Sequence, residues 1–220
     1  MKRLVNPDFD RFERIGKPEA VYAEGKSIED LVEIVKTYID TKKPLLITRL
    51  NNEQMEVMKK LGMRVNEKAR TASMGKIAEN SGKTVILTAG TSDIPIAEEA
   101  FETATFLGLE AERFYDVGIA GIHRINEPIN YIKNNDVDSV IVVAGMEGAL
   151  PSVIAALVDL PIIAVPTSVG YGVNFKGITT LFSMLQSCPS GVAVVNIDNG
   201  FGAAVFAYLI SRVRRKNQIR

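Results

Sequence analysis

From Thr84 onward, five short apolar runs (TVILTAG, AERFYDVG, SVIVVAG, PIIAVP and GVAVVNI) are each followed by a segment with helical spacing. Continuous apolar runs, rather than alternating ones, read as strands covered on both faces, and that is the signature of a parallel sheet. Parallel neighbours need crossover connections, and right-handed crossovers lay helices on the two faces of the sheet. The expected fold is therefore α/β, three layers deep around one parallel sheet. Helices are expected from Ile94 to Leu107 and over HRINEPINYIKNN, ALPSVIAALV, KGITTLFSMLQSC and GFGAAVFAYLISRVRR.

The chain ahead of this repeat is more charged and has a different rhythm. Ser27 opens SIEDLVEIVKTYID with Asp30 three places on, a capping-box pattern before apolar residues at helical spacing. PLLITRL reads as a strand. NNEQMEVMKKLG reads as a helix capped by Asn51 or Asn52 and stopped by Gly62. Residues 1–82 are expected to form a small α/β extension, ENSGK (Glu79–Lys83) to be the link, and residues 83–220 the main domain.

Composition excludes several classes. Hydrophobic residues make up 46% and charged residues 24%, an ordinary globular mixture rather than a disordered one. Twenty-six basic residues balance twenty-six acidic ones, which argues against a nucleic-acid partner. The basic tail RVRRKNQIR suits the end of a helix, where cations meet the dipole. The start lacks the apolar run of a signal peptide, and no apolar segment approaches ~20 residues, so no membrane partner and a cytoplasmic location are expected. The one cysteine, Cys188, cannot form an internal disulfide, and no Cys/His cluster suggests zinc.

In parallel sheets ligands bind beyond the carboxyl ends of the strands. The loops there are AGTSDIP, VGIAGIHR, AGMEGALP, PTSVGYG and IDNGFG, all rich in glycine. Glycine permits close approach of backbone to a ligand, and helix starts offer N–H groups to phosphate. A nucleotide or phosphate site follows, although G-x-G-x-x-G and G-x-x-x-x-G-K patterns are absent. Candidate binding residues are Gly90, Thr91, Ser92, Asp93, His123, Arg124, Gly145, Met146, Gly148, Ala149, Ser168 and Tyr171. Each has a plainer reading. Thr91, Ser92 and Asp93 also suit helix capping, Glu147 a helix start, Tyr171 simple packing, and Cys188 a gap in the core. Asp116, Asp198 and Asn199 are weaker candidates.

AGTSDIPIAEEA, YDVGIAGIHR and VVAGMEGALPSVIAAL resemble the phosphoribosyl-aminoimidazole carboxylase/mutase (PurE) family of purine synthesis. Over almost the whole chain, DFDRFERIGKPEAVYAEGK, VVAGMEGALPSV, PTSVGYG, QSC and VAVVNIDNGFGAA are more similar still to the PurE-like LarB family. That family makes the precursor of the nickel-pincer nucleotide cofactor that serves lactate racemase. The resemblance implies a flavodoxin-like main domain and a homo-oligomer such as the octamer of the purine enzymes. In the purine family the loop after the third strand has the form G-G-x-A-H-L-P, with a histidine that handles the proton. Here Ala149 stands at that position and Glu147 lies two residues before it. His123, the sole histidine, falls in a segment similar to the purine family's substrate-binding A-H-R.

The LarB resemblance implies carboxylation of the pyridinium ring of nicotinic acid adenine dinucleotide, with CO2 or bicarbonate as carboxyl source and Mg2+ assisting. Hydrolysis of the phosphoanhydride would yield pyridinium-3,5-biscarboxylic acid mononucleotide and AMP. An electron-poor ring does not attack CO2 unaided, so the chemistry calls for a soft nucleophile that also leaves well, and for a base. The resemblance assigns these duties to Cys188 and Glu147; no metal ligand is assigned. Two alternatives stand beside it: the purine carboxylase/mutase itself, and a nucleotide-binding module without catalysis. Because Cys188 follows a helix and precedes a strand, it is expected on the edge opposite the glycine loops. A broken helical segment, or a site shared between subunits, would reconcile this with the mechanism.

Overall fold

The computed structural model describes residues 7–77 and 80–218, which form two units, residues 1–78 and residues 79–220. In the first, α1 (Arg11–Ile15) and β1 (Val21–Tyr22) lead to α2 (Ile28–Thr41), β2 (Leu45–Thr48), α3 (Asn52–Lys60), β3 (Arg64–Asn66) and β4 (Thr71–Met74). The strands form one sheet in the order β1-β2-β4-β3, with β1 parallel to β2 and the others antiparallel. The Ser27 side chain accepts the Asp30 N–H at 3.1 Å, and Asn51 and Gln54 cap each other's backbone at the start of α3. The amphipathic face of α2 (Leu31, Ile34, Val35, Tyr38) packs into a core with Leu45, Ile47, Met55, Met58 and Ala72. Sequence reading found α2, β2 and α3. It did not find the short β1, β3 and β4, whose two to four residues carry too little periodicity to register.

The second unit runs β5 (Gly82–Thr88), α4 (Ile94–Phe106), β6 (Leu109–Phe114), α5 (Asn126–Asn134), β7 (Ser139–Ala144), α6 (Leu150–Ala155), β8 (Ile162–Pro166), α7 (Ile178–Leu185), β9 (Val192–Val194) and α8 (Gly200–Gln218). All five strands are parallel, in the order β6-β5-β7-β8-β9. This is the flavodoxin-like order, with its reversal between β5 and β7. Val85, Leu87, Val140, Val142, Ile162 and Ala164 pack against Ile129 and Ile132 of α5, Leu150 and Ile154 of α6, and Met184 of α7. The other face meets α4 and α8, whose buried Ala97, Ala100, Ala104, Ala203, Ala204 and Ala207 let the two helices approach each other. Three layers result, as expected.

Several boundaries differ from expectation. Gly82 and Lys83 open β5 rather than ending a linker, and Ala78 and Glu79 lie outside the described residues. Only the three inner strands are buried along nearly their whole length. β6 and β9 are the edges, and β6 exposes Glu110 and Arg113. The helix expected over HRINEPINYIKNN begins only at Asn126; Ile119–Ile125 is a 3-10 stretch interrupted at Gly121. The helix expected to run through Cys188 stops at Leu185.

At the edge away from the glycine loops, Asp138 is buried and accepts the Lys83 N–H at 2.9 Å and the Arg214 guanidinium at 2.6 Å. Burial alone would raise its pKa, but these donors outweigh it and hold the carboxyl below its usual range. The stability it contributes is therefore complete above about pH 4 and is lost as pH falls through the depressed folded value. Asp138→Ala is expected to destabilise the protein by about 2–3 kcal/mol. That is less than for a wholly buried pair, because the Arg214 side chain is 39% exposed. Urea unfolding at pH 7 and pH 3 checks this: the gap between wild type and variant shrinks at the lower pH.

Candidate functional site

The loops after β5, β6, β7 and β8 enclose a cavity of about 540 Å3 at the point where the strand order reverses. Gly90, Ser92 and Asp93 line it from the first loop, and Asp116, Gly118, Ile119, Ala120 and Arg124 from the second. Gly145, Met146, Glu147, Ala149 and Leu150 come from the third, and Val169, Gly170 and Tyr171 from the fourth. Apolar walls with a few converging polar groups are what small-molecule sites present. Two wall residues, Asp116 and Met146, hold left-handed backbone with φ of 58° and 50°. Non-glycine residues seldom adopt it, and such strain gathers at functional sites.

The floor is built around Asp93. Its carboxylate accepts the Gly90 N–H at 2.9 Å and the Thr167 hydroxyl at 2.8 Å, and the Gly145 N–H nearby also favours its charge. Burial pushes its pKa above the ordinary value against these donors, and the charge of Asp198 pushes the same way. Capping was the plainer reading of Thr91, Ser92 and Asp93, and Asp93 does close a capping box onto Gly90 N–H at the 3-10 turn Thr91–Asp93, although no side chain caps α4 itself. Its other oxygen faces the end of β8. Gly145 has to be glycine, because a Cβ there would lie 2.5 Å from the Val169 carbonyl oxygen and 2.7 Å from Thr167 Oγ1. Gly148 has φ +64°, and a side chain there would meet Met184 of α7 at 3.1 Å.

At the rim, Arg124 pairs with Asp116 at 2.5 Å, and the Asp116 N–H is anchored on Thr88 Oγ1 at 3.0 Å. Arg124 is thus the cation of the cavity wall, held by a carboxylate that an anionic ligand would displace. Glu147 is exposed and lies in the wall beside Ala149. After the fifth strand, Phe201 N–H donates to Glu99 and Gly202 N–H to Asn199, so these helix-start donors are satisfied within the protein. Asp198 accepts the Ser168 N–H at 2.8 Å, a structural tie between two loops.

Of the sequence candidates, Gly90, Ser92, Asp93, Arg124, Gly145, Met146, Glu147, Ala149 and Tyr171 line the cavity. Thr91, His123, Gly148 and Ser168 do not. His123 is exposed on the 3-10 stretch, Gly148 faces α7, and Ser168 points outside the lining while its neighbour Thr167 bonds to the floor. Thr167 was missed. Alternation along β8 would have found it, since Ile163, Val165 and Thr167 share one parity and thus one face of the strand.

Cys188 is exposed, just beyond α7, and is not in the cavity wall. Its neighbour Ser187 shares a hydrogen bond of 2.7 Å with Ser152 of α6. The core-filler reading is overturned: an exposed thiol fills no gap. Within one copy, Cys188 and Glu147 do not line the same cavity. Among the described residues no three His, Cys, Asp or Glu side chains gather as metal ligands, and no helix is long and apolar enough to cross a membrane.

Residues 83–219 match the AIR carboxylase family, and residues 2–76 match the LarB/PurE-like N-terminal domain. An uncharacterized protein of Methanocaldococcus jannaschii is 46% identical over 219 residues, covering 95% of this chain and 84% of that one. The N5-carboxyaminoimidazole ribonucleotide mutase of the same organism is 35% identical over 134 residues, covering 60% of this chain and 80% of that one. Treponema denticola PurE is similar at 20% identity with a TM-score of 0.45, covering 62% of this chain and 93% of that one. The strand order, the cavity at its reversal and the match over residues 83–219 agree: the chain belongs to the AIR carboxylase family, whose members are carboxylase and mutase enzymes.

Proposed function

We propose that the protein carboxylates the pyridinium ring of nicotinic acid adenine dinucleotide and hydrolyses its phosphoanhydride, giving pyridinium-3,5-biscarboxylic acid mononucleotide and AMP. This is the LarB reaction of nickel-pincer nucleotide synthesis. The observation that carries the reading is the cavity loop Gly145–Pro151: it offers Glu147 and Ala149, while the only histidine lies outside the wall. A purine-type proton transfer would lack its histidine there, whereas Glu147 in the wall is a carboxylate that would serve as the base. The match of residues 2–76 to a LarB/PurE-like domain supports the same reading.

In the proposed sequence the Cys188 thiolate adds to C4 of the ring, making a dihydropyridine whose C5 is nucleophilic. C5 attacks CO2 and the ring nitrogen becomes an iminium. Glu147 removes the C5 proton, and expulsion of the thiolate from C4 restores the pyridinium. Water cleaves the phosphoanhydride. Arg124 would bind the phosphates, and Gly90 and Ser92, which line the cavity, the sugar-phosphate portion. Mg2+ in such sites binds through phosphates plus one or two carboxylates, and Asp116 at the rim is a carboxylate that fits; the ion would neutralise phosphate charge. The thiol would come from a second copy of the chain. Tyr171, Val173, Phe175, Phe182 and Leu185, each more than half exposed, run from the cavity rim along α7 toward Cys188, an apolar surface suited to homo-oligomer contacts.

Turnover assays on separate substrates test the reading. With the dinucleotide, bicarbonate and Mg2+, AMP release is expected; with aminoimidazole ribonucleotide derivatives, none. The reverse outcome would return the chain to purine chemistry. Dinucleotide binding without turnover would make it a binding module.

A further inference from the structure

We propose that Thr167 is a positioning residue that holds the Asp93 carboxylate ionised, and in one orientation, in the cavity floor. Thr167 is fully buried and does not itself line the cavity. Its hydroxyl has one proton, and Asp93 Oδ1 accepts it at 2.8 Å. Gly90 N–H binds Oδ2 at 2.9 Å. One carboxylate thereby ties the ends of β5 and β8, with Gly145 at the end of β7 close beside it. The Thr167 N–H is itself fixed on the Ala144 carbonyl at 3.0 Å, so the hydroxyl is presented by an anchored backbone.

The charge on Asp93 is contested. Its burial favours the neutral acid, and Asp198 from the loop before α8 works the same way. Asp116, Glu147 and Arg124 face the same cavity from the other loops. Two hydrogen-bond donors stand against the neutral form, and a protonated carboxyl would find donors where it needs an acceptor. One of them, Gly90 N–H, is a backbone group that side-chain substitution leaves in place. Thr167 is therefore the side chain through which this chain sets the charge under its ligand. The ligand arm of the test below rests on the proposed pyridinium substrate; the titration arm does not.

The experiment follows the Asp93 carboxyl carbon by NMR in the full chain, with Asp93→Asn identifying the signal. Thr167→Val keeps the shape and removes the donor. It is expected to raise the Asp93 midpoint by about one pH unit, and Thr167→Ser to restore it. Thr167→Ala removes the same donor and serves if the valine variant does not fold. Binding of nicotinic acid mononucleotide, measured across pH, is expected to weaken about fivefold in Thr167→Val at the wild-type Asp93 midpoint and about tenfold below it, the deficit closing as pH rises. In an Asp93→Asn background, Thr and Val at 167 should bind the probe alike. An Asp93 midpoint unchanged by Thr167→Val and Thr167→Ala overturns the proposal. So does equal loss of binding at every pH in the serine and valine variants, which would mean packing alone. A shifted midpoint with no probe binding by wild type upholds the Thr167–Asp93 coupling and refutes the pyridinium substrate.

Discussion

Cys188→Ala is expected to abolish formation of the carboxylated mononucleotide, a loss of at least ~10³-fold, while leaving dinucleotide affinity within a few-fold of wild type. The thiol acts in the chemistry and not in ground-state binding. Without it C5 of the ring never becomes nucleophilic, so no other group supplies a slower version of the same path. The residue is exposed beyond the end of α7, so its removal should leave stability within about 0.5 kcal/mol of wild type. A large loss of activity in a protein that melts normally separates chemistry from folding. If the thiol comes from a second copy, mixing inactive Cys188→Ala with inactive Glu147→Gln protein should restore part of the activity, since mixed assemblies contain sites with both groups intact. Rescue would be absent if each copy used its own thiol.

Glu147→Gln is expected to lower turnover about 10²- to 10⁴-fold, the usual contribution of a positioned base. Glutamine keeps the size and hydrogen-bonding reach of the side chain but accepts no proton. The deficit should fall in kcat rather than KM, because Glu147 acts after the ring is bound and carboxylated. Deuterium at ring C5 supplies a sharper readout. In the variant, loss of the C5 proton becomes the slow step, so a primary isotope effect appears that wild type lacks. A variant with unaltered turnover would remove Glu147 from the mechanism and leave its cavity position as a wall contact only.

Much of the fold was legible because it rests on burial. β7 and β8 are buried along their whole length, so their apolar runs stood out, and the helices between them followed from crossover geometry. The edges were harder. β6 and β9 are covered on fewer sides, their polarity is mixed, and their ends could not be placed by hydrophobicity. The N-terminal strands were too short for any period to show.

In the candidate site, the glycine loops after the strands marked the edge of the sheet that holds the cavity, because position in a parallel sheet alone dictates it. Side-chain direction within those loops was not legible. Asp93 read as both a binding residue and a helix cap, and it does cap the turn at Gly90; that Thr167 reaches its other oxygen was not visible. Ser168 was favoured over Thr167, although strand parity pointed the other way. The separation of Cys188 from the cavity was legible from the order helix, cysteine, strand; in the proposed mechanism contact between copies joins them, which one chain's pattern does not encode.

The most direct test of the central claim uses 13C-bicarbonate with nicotinic acid adenine dinucleotide and Mg2+, with products resolved by mass spectrometry. The account predicts a pyridinium mononucleotide carrying one added 13C carboxylate, AMP in equal amount, and neither product with Cys188→Ala. Dinucleotide recovered unlabelled and uncleaved from the wild-type protein, or labelled product still formed by Cys188→Ala, would contradict it.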